Sequence, residues 1–210
     1  MLFDPLDRVL GSVTKVRLLR VLLHLTEPLS GREAQTRAGV KTRNGASDAL
    51  NELSELGIVR RVEIRSSNLY AINDDHDLTR ELRDLFATEE RRVGEFITAL
   101  QALLATAKLR EAVVTVILYG SNARRAATPQ SDVDLLVVVG EDGHASNVKE
   151  AFYAAAPELR SRFGIRISPY VLSAGEVADR ERAGDPFVRA IRTEGRVLWG
   201  EPLHETGNVW

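Results

Sequence analysis

Two apolar, β-branched runs flank one short polar segment: Val113 to Tyr119 precede Gly120-Ser121, and Asp132-Val133-Asp134 lead into Leu135 to Val139. Runs of this length and composition read as two buried strands, with the polar segment as the loop between them. Side chains alternate along a strand, so Asp132 and Asp134 project to one side and Val133 to the other. Two carboxylates side by side repel unless a cation or hydrogen-bond donors compensate, and a hard divalent cation is the usual answer. Gly120 lets an anion approach the backbone, and amide N–H groups at a helix start after it favour negative charge. Together the two halves point to a site for a metal and a triphosphate.

Gly120-Ser121, ten intervening residues and Asp132-Val133-Asp134 resemble the GS-x10-DxD signature of the minimal nucleotidyltransferases, members of the polymerase β-like superfamily. The resemblance implies that Gly120 and Ser121 hold the phosphates of a nucleoside triphosphate. It implies too that Asp132 and Asp134 are the catalytic, metal-binding carboxylates, with Mg²⁺ or Mn²⁺ as cofactor. Arg124 matches the arginine of the family's alanine-arginine-glycine triplet, and a guanidinium suits triphosphate oxygens. Members move a nucleoside monophosphate to a protein, RNA or small-molecule acceptor and release pyrophosphate, and some work in toxin–antitoxin pairs. This chain departs from the pattern twice. Arg125 stands where the family usually has glycine, so a different turn is expected there. The next strand candidate, Gly164 to Leu172, has no acid. Ser168 falls about where the family's third carboxylate stands, and the nearest acids, Glu158 and Glu176, lie outside the strand.

Ahead of this region, apolar residues from Val16 to Leu25 mark a buried helix. Ser30 with Glu33 has the spacing of a capping box that opens a second, ending near Gly39. A third runs through Ala46, Leu50, Leu53 and Leu56 to Gly57, followed by a hairpin, Ile58 to Ile64 and Leu69 to Ile72, around a turn at Arg65 to Asn68. This order resembles a winged helix-turn-helix. The resemblance puts Asn44, Ser47 and Asn51 on the outer face of the third helix, Lys41 and Arg43 at its start, and Arg61 and Arg65 on the wing, all facing double-stranded DNA. Leu78 to Leu104 then recur at helical spacing as one long linker helix. Its Glu89-Glu90-Arg91-Arg92 run reads as a solvated face, Gly94 as a break, and its apolar stripe as a surface for a neighbour or a second subunit in a homodimer. The last segment, Asp185 to Gly200, reads as a short helix and an edge strand, with Trp199 in packing.

The fold class expected is thus α/β (α+β): a winged helix-turn-helix over 1–76, a linker helix over 77–108, and a nucleotidyltransferase domain with a mixed sheet over 109–210. With 28 basic and 30 acidic side chains the chain has no global pull toward nucleic acid, so DNA contact must be local. The absence of cysteine excludes disulfide and thiolate chemistry. With no signal-peptide pattern and no membrane-length apolar run, a cytoplasmic protein is expected. The leading functional reading is an active, DNA-binding nucleotidyltransferase. The alternatives are a transcriptional regulator whose degenerate transferase domain senses nucleotide or dimerises, and an antitoxin-like docking partner.

Overall fold

A computed structural model of the chain describes residues 2–64, 67–140 and 144–203. Of these, residues 4–91 form one compact unit, and residues 2–3 with 92–203 form another.

The first unit holds α1 (Leu6–Val9), α2 (Val13–Leu23), β1 (Leu29–Ser30), α3 (Gly31–Arg37), α4 (Arg43–Glu55), β2 (Val59–Ile64), β3 (Ser67–Ile72) and the first part of α5 (Thr79–Thr106). Ser30 caps α3 in a complete capping box with Glu33. Strands β2 and β3 pair antiparallel from Val59↔Ile72 to Ile64↔Ser67, and β1 adds to the other edge of β3. Ser67 and Asn68, expected in the turn, belong to β3. Leu18, Leu22, Leu50, Leu53, Tyr70 and Phe86 fill one core.

Only part of the run Glu89 to Arg92 is the solvated face expected of it: Glu90 and Arg91 are exposed, whereas Glu89 is not. Glu89 is nearly buried, accepting the Leu6 N–H at 2.8 Å and facing Arg20 Nη2 at 2.8 Å. Arg20 also reaches Asp7 at 2.9 Å. Burial alone would lower the Arg20 pKa, but the hydrogen bonds and attraction of Glu89 and Asp7 prevail and raise it. The expected break at Gly94 is absent too, since α5 runs unbroken through it. The stripe of α5 is spent on the chain's own cores: Phe86 lies in the core just described, and Phe96, Leu100 and Leu104 in that of the second unit.

The second unit is built on β4 (Val113–Tyr119), α6 (Gly120–Ala123), β5 (Val133–Val139), α7 (Ala145–Phe163), β6 (Ile167–Ser173), α8 (Ala174–Arg182), α9 (Pro186–Glu194) and β7 (Arg196–Gly200). Its strands lie in the order β6-β5-β4-β7. β4 is antiparallel to β5 and β7, whereas β5 and β6 are parallel because α7 carries the chain back across the sheet. This is a mixed sheet. Val133, Leu135, Val137 and Val139 pack with Phe96, Leu100, Phe152 and Phe163 of α5 and α7. Leu136 and Val138 pack with Ile117, Leu172, Val177, Val188 and Ile191, the last three from α8 and α9. Helices on both faces explain why β5 reads as a continuous apolar run, each such side chain contributing roughly 1.5–3 kcal/mol by burial.

Candidate active site

Asp132 stands one residue before β5 and Asp134 within it, facing Tyr119 of β4 on one side and Ser168 of β6 on the other. Alternation along β5 puts Asp134 on the α8/α9 face with Leu136, while Val133 is buried on the opposite face. Gly120 closes the site from the β4 end. Its φ is +69°, and a β-carbon there would overlap Asp134 Oδ2. No other residue lets the Gly120-Ser121 backbone lie so close to the carboxylate. Burial first, then the charge of Asp132, raises the Asp134 pKa, and Arg124 partly offsets this.

Arg124 is exposed and its Nη1 lies 3.0 Å from Glu194 Oε2 at the end of α9. Ser121 is half-buried in the single turn of α6. Arg125, which stands where the family usually has glycine, has a φ of +54°, a left-handed conformation that glycine adopts freely. Holding a side chain there costs roughly 1–2 kcal/mol. Ser168 is the register partner of Asp134, and Glu176 is engaged as the capping-box partner of Ser173. Glu158 lies on α7, a helix of the opposite face. Among the described residues, no three acidic or histidine side chains come together around a common point.

Two features escaped the sequence reading. Arg166 Nε lies 2.8 Å from Asp132 Oδ1, and its Nη2 donates to the Gln130 carbonyl at 2.5 Å. The parallel register that pairs Val133 with Ile167 sets Arg166 beside Asp132 one step earlier, and that register is not written in the sequence. Beside the carboxylates, Tyr119 and Tyr170 both meet Phe187 edge-on with ring centroids 5.4 Å apart. Burial, then the charge of Asp134 and then Tyr170, push the Tyr119 phenol pKa up.

The donors suit a hard divalent ion shared with a nucleotide. Such an ion is commonly held by one or two carboxylates, the remaining positions going to phosphate oxygens and water. With no side chain at Gly120, its backbone lies against Asp134.

In the helical unit, Lys41, Arg43, Asn44 and Ser47 are exposed around the start of α4. Asn51 is half-buried and accepts the Tyr70 hydroxyl at 3.4 Å. Arg61 is exposed and 2.8 Å from Glu63, while Arg65 lies outside the described residues. Among the described residues no helix is long and apolar enough to cross a membrane.

Comparison with known proteins agrees with this geometry. The family model described as "Nucleotidyltransferase domain" matches residues 100–169, from α5 through the Gly120–Asp134 segment to β6. A proposed protein adenylyltransferase of Methanocaldococcus jannaschii is 31 % identical over 111 residues, 53 % of this chain and 98 % of that protein. A solved structure of TrmBL2, an archaeal chromatin protein, aligns with 85 % of this chain and 72 % of its own at 14 % identity and a TM-score of 0.30, a likeness that says nothing of what this chain binds. With a relative matched over nearly its whole length and a family segment centred on the paired carboxylates, the chain belongs to the nucleotidyltransferase domain family.

Proposed function

We propose that this nucleotidyltransferase transfers a nucleoside monophosphate, AMP in the first instance, from a Mg²⁺- or Mn²⁺-bound triphosphate to a hydroxyl of a protein acceptor. The observation that carries the reading is the contact of the Gly120 backbone with Asp134. It sets the Gly120-Ser121 turn, which we assign to the phosphates, against Asp134, which we assign to the metal. Asp132 and Asp134 would hold the cation, the Gly120-Ser121 backbone the β- and γ-phosphates, and Arg124, once it exchanges Glu194 for phosphate, the charge that builds on the leaving pyrophosphate. The bound cation supplies neutralisation of the triphosphate and polarisation at phosphorus. An acceptor hydroxyl oxygen would bond to the α-phosphorus as the bond to the bridging β-phosphate oxygen breaks, releasing pyrophosphate and passing the hydroxyl proton to water. The protein acceptor and ATP are suggested by the M. jannaschii relative.

The N-terminal unit supports a second element of function. Its order of helices, its hairpin and the exposed Lys41, Arg43, Asn44 and Ser47 fit a winged helix-turn-helix laid on double-stranded DNA. Incubating the full chain with each α-labelled nucleoside triphosphate, Mn²⁺ and cell extract tests the first reading. Label should pass to a protein band from ATP, and the Asp132→Asn/Asp134→Asn variant should abolish it. Binding of ATP without any transferred label would instead favour a nucleotide-sensing regulator, the role that a serine opposite Asp134 suits.

A further inference from the structure

Asn122 lies in the polar segment between Ser121 and Asp132, yet it is 1 % exposed. Its amide works on both sides. Nδ2 donates to the Asp132 carbonyl at 2.7 Å, and Oδ1 accepts the Leu2 N–H at 3.2 Å. The peptide group that joins Asp132 to Val133 is thereby held at both ends, because its N–H donates to the Arg166 carbonyl at 2.7 Å. Fixing that plane fixes where the Asp132 carboxylate leaves the backbone.

The other partner of Asn122 is itself firmly seated. Leu2 is fully buried in the cluster with Phe96, Leu118 and Val133. The Phe3 ring lies against two guanidinium groups, Arg125 at 5.3 Å and Arg196 at 4.9 Å from the centroid. Arg125 holds the left-handed backbone that a glycine would hold without strain, and contact with Phe3 is a reason for a cation to stand there. Leu2 and Phe3 form a strap that reaches the active-site loop across 120 residues of sequence.

We propose that Asn122 is a positioning residue of the transferase and that the Leu2–Phe3 strap acts through it. The strap holds Asn122, Asn122 holds the Asp132 carbonyl, and the Asp132 carboxylate is thereby set at the spacing from Asp134 that one shared cation needs. The inference rests on the reading of Asp132 as a metal-binding carboxylate. A buried amide whose two hydrogen bonds join separate segments cannot lose either segment without leaving a polar group unpaired, so loosening the strap frees the loop.

The test uses the full chain and the variants Phe3→Ala, Arg125→Gly and Asn122→Ala, with two measurements. The first is amide hydrogen exchange of the metal-free protein over residues 120–134, where each variant should speed exchange at Val133 about tenfold while other strands of the sheet stay protected. The second is calorimetry with Mn²⁺ and ATP, where each should weaken binding about tenfold, as partners behind a metal ligand commonly do. Phe3→Ala combined with Asn122→Ala should be no weaker than Asn122→Ala alone, because both act on one peptide group. Unchanged exchange at Val133 in Phe3→Ala and Arg125→Gly would overturn the strap. Faster exchange with unaltered Mn²⁺–ATP affinity would overturn the positioning role and leave a plain packing contact. A native chain that binds no Mn²⁺–ATP at all would overturn the metal reading of Asp132 and the positioning role with it, an outcome the exchange data separate from failure of the strap itself.

Discussion

Burial and the charge of Asp132 both press Asp134 toward its neutral form. Its folded pKa stands above the unfolded value, so this group favours the fold below the ordinary aspartate range and that contribution is lost as pH rises through the raised value. Asp134→Asn should therefore make the metal-free protein more stable at pH 7. The gain should be small, because solvent screens a partly exposed carboxylate, and should vanish once pH falls below the ordinary aspartate range. Thermal unfolding over a pH series reads it directly, and a variant less stable than the native protein at pH 7 would refute it. Gly120 offers a second test with the opposite sign for function. A methyl group there meets Asp134 Oδ2 and is strained at φ +69°, so Gly120→Ala should cut nucleotide transfer about 10²-fold, the usual penalty for a misplacement near 1 Å. Transfer at the native rate would show that the turn does not set the site.

At the scale of elements, the pairing of β5 with β6 determines which side chain stands beside Asp134. Ser168 sits opposite Asp134 where a carboxylate would complete the site, and a hydroxyl is no base at neutral pH. Ser168→Asp should tighten Mn²⁺ and raise transfer by about 10² or more if proton removal from the acceptor limits the rate. A native rate that this change leaves unaltered would place the proton acceptor elsewhere. This element was legible because strands announce themselves by composition and alternation. Val113–Tyr119 coincides with the strand that its composition predicts, and the sequence itself has a serine in the strand where an acid is expected. Arg166 beside Asp132 and the aromatic trio Tyr119, Tyr170 and Phe187 were not legible, because they depend on a cross-sheet register that one sequence does not state. Glu89 shows the same limit in a helix. Its neighbours in sequence are charged whether it faces water or, as here, an arginine 69 residues away. Glu89→Ala should cost about 3 kcal/mol in urea unfolding, since it leaves Arg20 with less compensation and the Leu6 N–H unpaired. A loss under about 0.5 kcal/mol would return that run to the solvated class.

For the whole molecule, a net charge of −2 means that any attraction to DNA must come from one face. Lys41 and Arg43 supply such a face at the start of α4, and the pairing of Glu52 with Lys15 partly neutralises an acidic residue further along the same helix. Contacts of this kind go mainly to phosphates and release counterions, so affinity for duplex DNA should fall steeply with salt. In fluorescence anisotropy with a random duplex, the full chain should give a log–log salt slope that Arg43→Ala reduces by about one unit. Arg124→Ala, which alters the transferase site alone, should leave that slope as it was and weaken nucleotide binding instead. Ser47→Ala should change discrimination between sequences more than the salt slope, because a hydroxyl on the exposed face of α4 would meet base edges. No retention of duplex at low salt, or a slope that Arg124→Ala lowers as much as Arg43→Ala does, would remove the helical unit from DNA and leave nucleotide transfer as the one proposed activity.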